Sequence, residues 1–289
     1  METSDLIKRV RQIEIKTRAL SNNIFAGEYH SAFKGRGMSF SEVRDYQPGD
    51  DVRDIDWNVT ARFNHPYIKV YEEERELTVM LLIDVSSSLN FGTVSALQRD
   101  MVTEIAATLA FSAIQNNDKI GVMLFSDQVE KYIPPKKGRK HILYIIRELL
   151  NFKPEHHRTN IQQALEFMMN TQHKRCTAFL ISDFIDYKDY SPALVIANRK
   201  HDMVAIQVYD RYMSELPNVG LLKVADAETG HEQFIDTSSK KVRNAHRQNW
   251  IALQSGMVSA MNKSKMDLVT VRTDEDYVKA LISMFSKRK

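Results

Sequence analysis

The chain has 289 residues, 43% of them hydrophobic, with 40 basic and 37 acidic side chains and a formal net charge of +3. That length and apolar fraction suffice for one large α/β domain with an appendage, or for two modest domains, and they exclude a chain disordered over its bulk. Charges of both signs are mixed along the sequence, so no overall field points to nucleic acid or to an anionic membrane. The single cysteine, Cys176, excludes an intrachain disulfide and a cysteine-based zinc site, and reads as a buried thiol in a reducing compartment.

The amino terminus, METSDLIKRVRQIEIK, lacks an apolar core of signal-peptide length, and no apolar run is long enough to cross a bilayer, so a cytoplasmic, soluble protein is expected. Leu6, Val10, Ile13, Thr17 and Leu20 recur at spacings of four and three and predict a helix between Asp5 and Leu20. The block SFSEVRDYQPGDDVRDIDWNVTARF follows, with a Pro48-Gly49 turn. Here Arg44, Asp45, Asp50, Asp51, Arg53, Asp54 and Asp56 surround Val43, Tyr46, Val52, Ile55 and Trp57. Exposed ion pairs are worth only about 0–1 kcal/mol each. It is the interleaved apolar residues that predict a compact β-rich cap against the main domain, and this block is the leading candidate for a partner surface. Residues 1–75 are therefore expected to form an appendage, ending near Glu72 to Glu76 where YEEERE gives way to an apolar strand.

From there strands and helices alternate. Leu77 to Ile83, Ile120 to Phe125, Ala178 to Ile181, Met203 to Val208 and Leu268 to Val271 read as buried strands. Helix-period segments lie between most of them, the clearest carrying Val94, Leu97, Met101, Ile105 and Leu109. Alternation of this kind predicts an α/β, Rossmann-like, mostly parallel sheet with helices on both faces, because parallel neighbours need crossovers. Val129 to Ile133 reads as an antiparallel edge strand, and Leu221 to Ala225 with Glu232 to Ile235 as a second hairpin inserted before the last long helix. The basic PPKKGRKHI loop lacks interleaved aromatics and reads as a solvated face.

In open parallel sheets ligands bind beyond the carboxyl ends of the strands. The first strand ends there in DVSSS, placing Asp84, Ser86 and Ser88 at alternate positions. Thr159, in HHRTNIQQAL, stands before a helix with the stripe Ile161, Leu165 and Met168 and reads as its N-cap. Asp183 ends the strand of CTAFLISDFID. If the two strands are neighbours, both carboxylates converge. Two carboxylates and three hydroxyls suit a hard dication such as Mg²⁺, with Mn²⁺ or Ca²⁺ as alternatives, because such ions take oxygen ligands and keep positions for other donors. His156 and His157 read as exposed loop residues, since no zinc-type spacing accompanies them.

DVSSS, Thr159 and Asp183 resemble, in that order, the metal-ion-dependent adhesion site of von Willebrand factor type A domains. The long block from FKGRGMSFSEVRDYQPGDD through VYEEERELTVMLLIDVSSSLNFG is similar to the signature of the bacterial DUF58 family, and the resemblance runs over nearly the whole chain from about Tyr29. It implies a von Willebrand A-like domain over residues 76–289, a Mg²⁺ site that grips an acidic side chain of a protein partner, and association with MoxR-type AAA ATPases. Two departures stand out. His156-His157-Arg158 replaces a glycine-bearing loop and, when protonated, repels a cation, and Phe184 stands where a glycine is common, which predicts a different turn.

Enzymatic alternatives fare less well. A haloacid-dehalogenase-type phosphatase needs an acid two residues after its nucleophile, and Ser86 stands there. No GxSxG elbow or phosphate-binding glycine loop is present. The expectation is a non-enzymatic binding protein, with a metal-dependent phosphohydrolase and a metal-free scaffold as alternatives.

Overall fold

The computed structural model describes residues 8, 10–16, 29, 32, 37–74, 76–90, 97–225 and 231–288. The chain divides into two compact units, residues 33–77 and residues 1–32 with 78–289.

In the smaller unit, β1 (Gly37–Asp45) pairs antiparallel with β2 (Tyr67–Glu74), with a bulge between Phe40 and Glu42. The acidic residues between them have local tasks. Asp51 accepts the Arg53 amide at the head of a 3₁₀ turn, Val52–Asp54, and Asp56 caps α1 (Trp57–Phe63) by accepting from the Asn58 and Val59 amides. Arg44 holds Asp50 through two guanidinium bonds of 2.9 and 2.8 Å. Charge pairing and capping thus order the link between the strands. The apolar residues diverge from expectation: Val43, Tyr46 and Ile55 are half-buried, whereas Val52 is 61% exposed and Trp57 69% exposed.

The larger unit is built on a six-stranded sheet in the order β10-β7-β6-β3-β4-β5. Its strands are β3 (Thr78–Asp84), β4 (Lys119–Phe125), β5 (Val129–Lys136), β6 (Thr177–Ser182), β7 (Asp202–Tyr209) and β10 (Asp267–Arg272). Only β5 runs antiparallel. The crossovers are α2 (Gln98–Gln115), α3 (Arg139–Asn151), α4 (Ile161–Thr171), α5 (Ser191–Lys200) and, after the short α6 (Arg211–Ser214), α7 (Lys240–Ser264). A terminal helix, α8 (Tyr277–Lys287), follows β10, and β8 (Leu221–Ala225) with β9 (Glu232–Asp236) forms the expected hairpin. The five buried strands, the edge strand and this hairpin fall where the apolar runs predict them. Of the stripe expected on α2, Met101, Ile105 and Leu109 are buried, Leu97 is the exposed N-cap, and Val94 lies outside the described residues, as do Asp226 to Gly230.

Strand parity divides the core. Met80 and Leu82 of β3, Ala178 and Leu180 of β6 and Met203 and Ala205 of β7 pack with α4, α5 and the last turns of α7. On α2 nearly every position is buried, and Thr103, Thr108 and Ser112 survive there by donating to the carbonyls of Arg99, Glu104 and Thr108 four residues earlier. At the β5 edge, a Cβ on Gly121 would stand 2.9 Å from the Ile133 carbonyl and Pro135 nitrogen, so only glycine lets the bulged strand approach. Residues 10–16 are helical, with Ile13 buried, Lys16 paired with Glu104 and Arg139 with Glu14. The N-terminal helix therefore groups with the larger unit, whereas the sequence reading joined it to the Arg/Asp-rich block. Leu6, Thr17 and Leu20 lie outside the described residues. Cys176 is buried just before β6, where burial pushes its thiol up to about 12.

Candidate functional site

The parallel register that sets Ile83 beside Ile181 brings the ends of β3 and β6 side by side. Asp84 follows Met80 and Leu82 on one face, and Ser182 follows Ala178 and Leu180 on the same face, so these two side chains meet. The Ser182 hydroxyl donates to Asp84 Oδ2 at 2.6 Å. The Phe184 amide donates to that hydroxyl at 2.9 Å, which orients it. Asp84 Oδ1 accepts the Ser86 amide at 2.8 Å, bending the chain out of the sheet into a 3₁₀ turn, Ser87–Asn90. The turn puts the hydroxyls of Ser86 and Ser88 3.0 Å apart while Ser87 faces away, its Oγ 2.7 Å from His157 Nδ1. Alternate serines thus have different jobs, as their spacing predicts.

The loop before α4 closes the site from a third side. It is pinned by the Ser87 amide donating to the His157 carbonyl at 3.1 Å and by the Asn160 amide donating to the Ser126 carbonyl at 2.9 Å. The N-cap of α4 is Asn160, whose side chain accepts the Gln163 amide at 3.2 Å. This corrects the expectation for Thr159. Its hydroxyl is released from capping, and Thr159 Oγ1 is buried with no hydrogen-bond partner among the described residues. Buried hydroxyls are rarely left so, because an unmet polar group costs about 1–3 kcal/mol.

Asp84 and Asp183 are both about 1% exposed. Burial is the chief reason that the Asp84 carboxyl is pushed above the usual range. Its bonds from Ser182 and Ser86 oppose the shift, and the charge of Asp186 adds to it. Asp183 Oδ1 accepts the Ile185 amide at 3.0 Å. Phe184 adopts φ +60°, a left-handed conformation that a glycine adopts without a Cβ penalty. His157 is exposed as expected, whereas His156 is half-buried with Nδ1 3.3 Å from Asp127.

Three participants were missed from sequence. Ser182 was passed over for its acidic neighbour, although strand parity points to it. Asp186, whose Oδ2 accepts the Ile161 amide at 2.9 Å, sits at the head of α4 and carries no sequence signal beyond proximity to Asp183. Glu130 accepts the Ser126 hydroxyl at 2.8 Å and the His156 amide at 3.0 Å, a role set by the hairpin rather than by any motif.

Among the described residues no group of three or more His, Cys, Asp or Glu is placed to hold a metal ion. A cation here would rest on two carboxylates and three hydroxyls. That donor set fits a hard dication on two observations: a buried hydroxyl lacking a partner at Thr159, and a buried carboxyl at Asp84 whose ionised form lacks a nearby positive charge among its chief influences.

A protein of Mycobacterium bovis described as uncharacterized is 28% identical over 288 residues, covering 98% of this chain and 90% of its own length. The crystal structure of an aerotolerance-related membrane protein from Bacteroides fragilis matches 73% of this chain and 99% of its own with a TM-score of 0.51 at 14% identity, which speaks for the fold alone. Proximal thread matrix protein 1 from the mussel byssus, in a structure with a zinc-occupied MIDAS motif, matches 46% of this chain and 38% of its own at 18% identity with a TM-score of 0.38. No helix of the described residues is long and apolar enough to cross a membrane. The family model described as "Protein of unknown function DUF58" matches residues 42–254, and the chain belongs to that family.

Proposed function

We propose that this chain is a cytoplasmic, non-enzymatic adaptor that binds an acidic side chain of a protein partner through a divalent cation held by Asp84, Ser86, Ser88, Thr159 and Asp183. The ion is Mg²⁺, with Mn²⁺ or Ca²⁺ able to replace it, and when bound it supplies a coordination position for a carboxylate from outside. The observation that carries this reading is the partnerless Thr159 hydroxyl, buried beside a loop that is hydrogen-bonded to the DVSSS turn. Asp84 brings charge, the Ser86 and Ser88 hydroxyls bring neutral oxygens, and Ser182 and the Phe184 turn hold the Asp84 carboxylate in orientation. Two acids offset a dication without surplus, which leaves it attractive to a third. By family resemblance the partner is a MoxR-type AAA ATPase. Phosphatase chemistry lacks its proton donor, since Ser86 occupies the general-acid position.

The test is thermal unfolding of the purified protein in Mg²⁺ and in chelator. At 100 times the dissociation constant a ligand stabilises by about 2.7 kcal/mol, which at this size is a rise of several degrees in Tm. The rise should be present in the wild type and absent in Asp84→Asn and Thr159→Val. Co-purification with the MoxR-type ATPase should need both Mg²⁺ and Asp84. Turnover of a generic phosphate ester that vanishes in Asp84→Asn would instead establish the phosphohydrolase.

One observation favours a metal-free scaffold. Both oxygens of Asp84 already accept hydrogen bonds, from the Ser86 amide and the Ser182 hydroxyl. On that reading the melting curves in Mg²⁺ and chelator coincide.

A further inference from the structure

The helix α7 is 25 residues long, about 37 Å at roughly 1.5 Å per residue. Its buried residues, Met257, Ala260, Met261 and Ser264, all lie in its last turns. Before them, among the described residues, its tertiary contacts include Trp250, which lies against Tyr209 with ring centroids 5.1 Å apart, and His246, whose Nε2 lies 2.9 Å from the Met213 carbonyl, both on one side. At about 100° per residue, Lys240, Arg247, Ile251 and Val258 fall in one line about 100° around the helix from that side, and Lys241 lies about 100° further round, nearly opposite it. All five are exposed, Ile251 by 45% and Val258 by 42%.

The charge of this face is one-sided. From Thr237 through Met266 the sequence contains no Asp or Glu. Arg243 is engaged locally, donating to the Thr237 and Ser238 carbonyls, and Lys263 has Asp189 nearby. Among the described residues Lys240, Lys241 and Arg247 form no ion pair. An aliphatic line bounded by unpaired cations and lacking acids is the complement of an amphipathic helix with aliphatic and acidic residues.

We propose that the outward face of α7 is a second docking surface, for an acidic amphipathic helix of a partner protein. A second copy of this chain is disfavoured, because in an isologous contact the same face, with no acid between Thr237 and Met266, would offer the partner's cations nothing to pair with. A lipid surface is disfavoured as well. Interfacial helices insert a continuous stripe of bulky side chains such as Trp, Phe and Leu, whereas the line here carries two aliphatic side chains, Ile251 and Val258, with the polar Gln254 and Ser255 between them.

The probe is a synthetic helical peptide of about seven turns, with Ala and Leu along one seam and Glu on both flanks, followed by fluorescence anisotropy with the full-length protein. A control peptide carries Lys in place of Glu. The wild type should bind the acidic peptide only, and more weakly as salt rises. Binding should fall at least tenfold in Lys240→Glu/Lys241→Glu/Arg247→Glu and in Ile251→Asp, with circular dichroism unchanged because all four positions are exposed. Asp84→Asn should bind the peptide like the wild type, which separates this surface from the metal site. Undiminished binding by the α7 variants, loss of binding in Asp84→Asn, preference for phosphatidylserine vesicles over the peptide, or dimerisation abolished by Ile251→Asp would each overturn the proposal.

Discussion

Asp84 is the residue on which the site turns, and its protonation has a definite sign. Burial raises its folded-state pKa above the ordinary aspartate value, so without metal the folded state favours the proton. The stability associated with it is fully present below the unfolded pKa and is lost as pH rises through the raised folded value. In chelator, the wild type should therefore lose stability relative to Asp84→Asn as pH rises from about 4 toward neutrality, as measured by urea unfolding across that range. The asparagine keeps both contacts, its oxygen facing the Ser86 amide and its amide facing the Ser182 hydroxyl. Phe184 makes the opposite trade. A left-handed non-glycine residue costs roughly 1–2 kcal/mol, but its ring is buried in the core cluster with its centroid 6.4 Å from that of Tyr190. Losing a buried phenyl costs about 3–5 kcal/mol. Phe184→Gly should relax the backbone yet lower stability by roughly 1–4 kcal/mol net of the two, read from the shift in denaturation midpoint. It should also loosen the amide that orients Ser182.

Among the elements, the start of α4 separates two adjacent side chains with different tasks. Asn160 caps the helix, so Asn160→Ala should cost about 1 kcal/mol whether or not metal is present. Thr159 contributes an unmet buried hydroxyl, so Thr159→Val, of similar shape, should leave stability in chelator unchanged or raised. Paired melts in Mg²⁺ and chelator distinguish the two, since only the Thr159 change should remove a metal response. From sequence Thr159 looked like the cap, because a threonine before an apolar stripe is a common N-cap signal. Boundaries one residue apart are not resolved by such patterns. The strands were legible for the opposite reason: residues buried on both faces form continuous apolar runs whose ends stand out.

Across the larger unit, the carboxyl-terminal helix is tied to the opposite end of the sheet from the site. Arg288 reaches Asp202 at the start of β7, at 2.7 and 3.2 Å, and Asp267 at the start of β10, at 2.6 Å. The guanidinium is 15% exposed and both carboxylates are more open. Arg288→Ala should cost about 1–2 kcal/mol, below the roughly 3–5 kcal/mol of a wholly buried pair. Amide hydrogen exchange should show the loss concentrated in α8 and the starts of β7 and β10. An unchanged response to Mg²⁺ in the same variant would show that the two ends of the sheet act independently.

By itself the sequence determined the strands, their alternation with helices, and the set of oxygen-bearing side chains at the carboxyl ends of β3 and β6, because burial periodicity and turn chemistry are local properties of the chain. Tertiary structure alone decided which of those side chains meet. The neighbouring register of β3 and β6 puts Ser182 rather than Asp183 against Asp84, brings Asp186 to the head of α4, and frees Thr159 from the cap. The exposure of Trp57 and Val52 in the smaller unit was likewise invisible beforehand. Apolar spacing states what can be buried, and only the packed arrangement states which surface is there to bury it.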